Sequence, residues 1–106
     1  MDEARLVSLL EEATAHCYDA EDEFWAIFST LVGRVTYPVA CQMGGETVSL
    51  LGMDGPTSAP ESGVMARIER SGSEETAPLA DLTVIEADPD SAAWLAVYAH
   101  WMGKKG

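Results

Sequence analysis

At Val35 the spacing of the apolar residues changes, and that change limits the folds open to the chain more than any other feature. Before it, apolar side chains recur three and four positions apart, as they do along one face of a helix. After it, β-branched residues come in short runs divided by Gly, Pro and Ser, which is the pattern of strands and turns. Leu6, Leu9, Leu10 and Ala13 define a first helix over residues 2–16, with Asp2 available as its cap. A second begins at Asp19, buries the face carrying Phe24, Ile27, Phe28 and Leu31 with Trp25 and Val32 beside it, and is expected to stop at Gly33.

Strands are expected over residues 35–41, 46–51, 64–69 and 82–85, with a shorter one near 76–79. Gly44-Gly45 and the Ser-Gly pair at Gly72 read as hairpin turns. The stretch 52–63, GMDGPTSAPESG, carries turn chemistry throughout and is expected to be a long loop. Asp88-Pro89 then supplies a cap followed by proline at the first helical position. Trp94, Leu95, Tyr98, Trp101 and Met102 follow at helical spacing, and Lys104 and Lys105 suit the carboxyl end of the dipole. The expected architecture is α+β in one domain of 106 residues. It comprises a helical hairpin (1–33), a small antiparallel SH3-like sheet or half-barrel (34–86), and a carboxyl-terminal helix (88–102) packed on that sheet.

Eighteen acidic residues against six Lys and Arg give a formal net charge of −12. A field of that sign repels nucleic-acid phosphate and anionic membranes and leaves cations and basic protein surfaces as natural partners, although excess acid also serves solubility alone. The opening MDEARLVSLLEEA places acids where a signal peptide carries positive charge, and no run is long enough to span a membrane, so a cytoplasmic protein is expected. Cys17 and Cys41 do not form a close-spaced redox or metal motif and, in a reducing cytoplasm, are expected to be two buried thiols rather than a disulfide.

The densest chemistry is in CYDAEDEFWAIF, where Asp19, Glu21, Asp22 and Glu23 crowd one helix start. Asp22 and Glu23 follow Asp19 by three and four positions, so those three carboxylates share a side, whereas Glu21 points elsewhere in a regular first turn. Ca²⁺ takes six to eight hard oxygen ligands, which such carboxylates supplemented by carbonyls and water supply. Capping and the helix dipole account for the same acids without any metal. An EF-hand is excluded, because Phe24 stands where its loop requires Gly and Thr30 where it requires the bidentate Glu. Asp54 and Glu61, in the expected loop, are further carboxylates within reach of an ion or simply solvated. His16 beside Cys17 is no catalytic pair, since neighbours on a helix diverge, and His100 reads as a packed or surface residue. No nucleophile, base and oxyanion donor can be assembled, so an enzyme is not expected.

In this order the segments resemble the small bacterial family of CcbP-like calcium-binding proteins. The resemblance covers residues 13–103 and rests on CYDAEDEFWAIFSTL, TYPVA, GETVSLLGM, APLADLTVIEAD and VYAHWMG. It implies Ca²⁺ binding outside the EF-hand scheme, without catalysis, and carries the metal-ligand role onto Asp19, Glu21, Asp22 and Glu23. Where the family pattern is Trp-His-x-Trp, this chain has Tyr98-Ala99-His100-Trp101. The reading is therefore a Ca²⁺ buffer or sensor whose metal residues are Asp19, Glu21, Asp22 and Glu23, with Asp54 from the loop. The rival is an acidic interaction module for a basic protein partner, possible nucleic-acid mimicry included.

Overall fold

The computed structural model describes residues 3–105, with side chains to residue 103; Asp2 and the side chains of Lys104 and Lys105, expected above at helix ends, lie outside the described residues. Three helices and a five-stranded antiparallel sheet make an α+β fold, in the order helix, helix, sheet, helix. The residues group into two compact units, a helical one and a sheet one covering Thr36–Asp88. Among the described residues no helix is long and apolar enough to cross a membrane.

In the helical unit, α1 (Glu3–Ala13) ends earlier than expected. Thr14 directs both its N–H and its hydroxyl to the Leu10 carbonyl, at 3.0 and 2.8 Å, and Cys17 N–H closes a turn on Thr14 at 3.1 Å. Helix α2 (Ala20–Arg34) buries Phe24, Ile27 and Leu31 of the stripe that the sequence spacing defines, whereas Phe28, expected on the same face, is only half-buried. It runs through Gly33 and ends on extended Val35. Gly33 was expected to stop the helix, but it does not take the left-handed conformation that a glycine terminator supplies, and its hydrogen atoms face open space. Helix α3 (Pro89–Lys105) starts at the proline, as the Asp88-Pro89 step predicts, and contacts both α1 and α2. Its Trp94, Leu95, Tyr98 and Trp101 are buried. The Trp101 ring lies 6.2 Å from that of Phe24, and the Arg34 guanidinium sits 5.7 Å above Trp94.

In the sheet unit, β1 (Val39–Met43), β2 (Glu46–Ala59), β3 (Gly63–Arg70) and β4 (Ser73–Pro78) form a meander, and β5 (Thr83–Glu86) returns beside β1. The sheet is open, with β4 and β5 as its edges. Its buried face alternates along the strands: Val39 opposes Leu50, Cys41 opposes Val48, and Leu50 opposes Ile68. Two tight turns fall where glycine predicts them. Gly44 and Gly45 take φ of 58° and 86°, and Ser71 and Gly72 take 53° and 82°, the paired positive values of the favoured hairpin turn. Strand β1 begins after the cis Tyr37–Pro38 bond, later than the expected Val35, which instead caps α2.

The largest departure is at 52–63. That stretch was expected to be a loop, but β2 continues to Ala59 and only residues 60–62 connect it to β3. The turn-forming residues are used inside the ladder. Its register shifts between Leu50 and Gly52, where a side chain at Gly52 would meet the Arg67 guanidinium at 3.5 Å, and again between Asp54 and Ala59. The Ser58 hydroxyl bridges the second irregularity, donating to the Asp54 carbonyl at 2.6 Å and accepting from Met65 N–H at 2.8 Å. Backbone groups that a regular ladder would pair are thus met by side chains, and the strand persists.

Candidate metal site

The opening of α2 holds four of the five predicted ligands. Asp19 is the cap: its backbone is extended at φ −146°, and its Oδ1 accepts from Asp22 N–H at 2.9 Å. Its carbonyl takes the first helical bond, from Glu23 N–H at 3.0 Å. Asp22 answers in the other direction, its Oδ2 accepting from Tyr18 N–H at 3.3 Å, so the two aspartates staple the chain reversal before α2 much as a capping box does. Glu21 in the same turn is exposed. Glu23 faces inward, where its Oε1 accepts the Trp101 indole N–H at 2.9 Å and ties α2 to α3. That bond spans 78 positions of sequence, and no local pattern announces it.

The acids also act on their neighbour. Desolvation raises the Cys17 thiol above its usual pKa, and the charges of Asp22, Glu23 and Asp19 raise it further. A cavity of about 400 Å³ adjoins Glu23, walled by Val7, Leu10, Thr14 and Trp101 with Glu11 at its side.

The fifth predicted ligand, Asp54, belongs to β2 in the sheet unit. Its Oδ2 accepts from Thr57 N–H at 3.2 Å and from the Thr57 hydroxyl, which makes it the organiser of a local turn. The Asp-x-x-Thr spacing is the signal that could have shown this. Glu61 is exposed at the β2–β3 tip, and His16 is exposed beside the acidic opening. The Nε2 of His100 is buried and lacks a hydrogen-bond partner.

The donors at the opening of α2 have the right chemistry for a hard cation, being carboxylate oxygens with free lone pairs after capping. Their placement is that of a cap and not of a cage: among the described residues no three His, Cys, Asp or Glu side chains converge as a metal site.

No protein-family model and no curated protein sequence matches the chain. Two solved structures do match in shape. One is Anabaena CcbP, with a TM-score of 0.78 and 20% identity over 96% of this chain and 91% of that one. The other is described as a calcium binding protein in the calcium-binding form, also at TM-score 0.78 and 20% identity, over 98% and 93% of the two chains. The chain has the CcbP fold. The CcbP likeness covers nearly the whole length of both proteins.

Proposed function

We propose that this protein is a non-catalytic Ca²⁺-binding protein, a buffer or sensor outside the EF-hand scheme. The observation that carries the reading is the full-length likeness in fold to a protein known in a calcium-binding form. The net charge of −12 supports it, since a field of that sign concentrates divalent cations at the surface. The opening of α2 is where we place the ion. Asp19 and Asp22 each spend one oxygen on the cap and keep the other, Glu21 is exposed, and carbonyls or water complete a Ca²⁺ shell. Because no third carboxylate converges, a weak site is expected, with Kd of about 10⁻⁴ to 10⁻³ M.

Calorimetric titration of chelator-treated protein with Ca²⁺, then with Mg²⁺, tests both parts. Ca²⁺ heat at low salt is expected, with weaker Mg²⁺ competition because the smaller ion demands tight octahedral geometry. The variant carrying Glu21→Gln and Asp22→Asn should bind several-fold more weakly. Glu23 is left intact in it, so that the tie to Trp101 does not confuse the result. Silence at millimolar Ca²⁺ would remove the function; full binding by the variant would move the site elsewhere.

A further inference from the structure

We propose that the outward face of α2 docks a basic amphipathic segment of a partner protein. Five large apolar side chains are exposed among the described residues, and three of them belong to this one stretch: Tyr18 (96% exposed), Trp25 (38%) and Val32 (52%). Trp25 and Val32 are seven positions apart, two turns of helix, and so lie on one line; Tyr18 stands another seven positions back, just ahead of the cap. This line is turned away from the buried stripe of Phe24, Ile27 and Leu31, and packing within the helical unit accounts for Trp25 only in part.

Trp25 is held in position. Its ring meets Phe24 edge-on at 4.8 Å and Phe28 at 5.5 Å, so it offers a broad, pre-oriented surface whose rotamer entropy is already spent. Rigid, half-exposed Trp residues of this kind are the side chains that most often dominate binding energy in interfaces.

Charge selects the occupant. Glu21 and Asp22 flank the line between Tyr18 and Trp25, and Asp19 adjoins them, so the negative charge lies at its amino end. A ligand helix with an apolar stripe therefore gains if its basic residues lie over the amino end of α2, which fixes its direction as well as its sign. A second copy of this chain brings another net charge of −12 to the contact and is disfavoured.

The test uses the full-length protein and a synthetic helix-forming peptide with Leu on one face and Lys on the other. Calorimetry and the NMR shift of the Trp25 indole are read with chelator present. Chelation makes the measurement blind to calcium binding, so this proposal and the calcium reading stand or fall separately. Binding is expected, and Trp25→Ala should weaken it about tenfold or more. Val32→Lys, at a site exposed enough to spare the fold, should do likewise by placing positive charge on the line. A scrambled peptide of equal composition should bind poorly, since charge without a stripe is not the ligand. Equal binding of both peptides, or undiminished binding by Val32→Lys, overturns the proposal. So does sedimentation showing a dimer that Trp25→Ala dissolves, which would give the face to a second copy.

Discussion

Cys17 reports on the acidic opening of α2 without being part of it. Burial raises its thiol first, and the carboxylates of Asp22, Glu23 and Asp19 add to that, so at mildly alkaline pH less of it is thiolate than of an ordinary cysteine. The other thiol, Cys41, is fully buried on the sheet and does not compete for a reagent in the folded protein. Alkylation by iodoacetamide should therefore follow Cys17 alone, with its rate climbing at higher pH than for a free thiol. Asp22→Asn removes one of the listening charges and leaves the burial in place, so the profile should move part of the way back towards the ordinary thiol value. The sign for stability is fixed by the same shift. The folded pKa lies above the unfolded one, so the contribution is complete below the unfolded pKa and is lost as pH rises through the folded value. An alkylation profile that Asp22→Asn leaves unmoved would show that the carboxylates do not act on this thiol as the geometry implies.

At the level of elements, what was legible in the sequence is what depends on period and on turn stereochemistry. Phe24, Ile27 and Leu31 mark the buried face of α2, and Trp94, Leu95, Tyr98 and Trp101 that of α3, because helical spacing alone puts them together. Gly44-Gly45 and Ser71-Gly72 mark hairpins because few other residue pairs take two positive φ values in succession. The extension of β2 to Ala59 was not legible. Residues such as Gly52, Asp54 and Ser58 carry turn propensity, and only the register of β3 and the Ser58 bridge to Met65 turn them into strand. The Glu23–Trp101 bond was hidden for a related reason, since its two partners meet only after α3 has packed on α2. Gly33 shows the opposite error, in which a residue that often ends helices simply sits inside one. A Cβ at Gly33 meets nothing within 4 Å, and its φ lies outside the left-handed region, so alanine should be accepted without strain. Gly33→Ala should stabilise the protein by about 0.5–1 kcal/mol, the difference in helical entropy between the two residues, as measured by urea denaturation. A loss of stability instead would mean that the end of α2 needs the freedom of glycine.

For the molecule as a whole, the net charge of −12 sets up two effects that a calcium titration must separate. Like charges repel more in the compact state than in the expanded one, so any salt should raise the melting temperature until screening saturates. A specific ion adds a further gain that depends on its own concentration. With Kd of 10⁻⁴ to 10⁻³ M, a millimolar excess of Ca²⁺ contributes about 0.4–1.4 kcal/mol through mass action. For a protein of this size that is a rise of roughly 2–10 °C in melting temperature. The experiment is to melt the protein in about 0.15 M NaCl, where the Debye length is already near 8 Å and one millimolar of a divalent salt adds little screening. Ca²⁺ should then raise the transition while Mg²⁺ at the same concentration raises it less, and the Glu21→Gln, Asp22→Asn variant should lose most of the difference between the two ions. Equal shifts with Ca²⁺, Mg²⁺ and matched NaCl would reduce the acidic surface to a screening effect, and the calcium reading would fall with it.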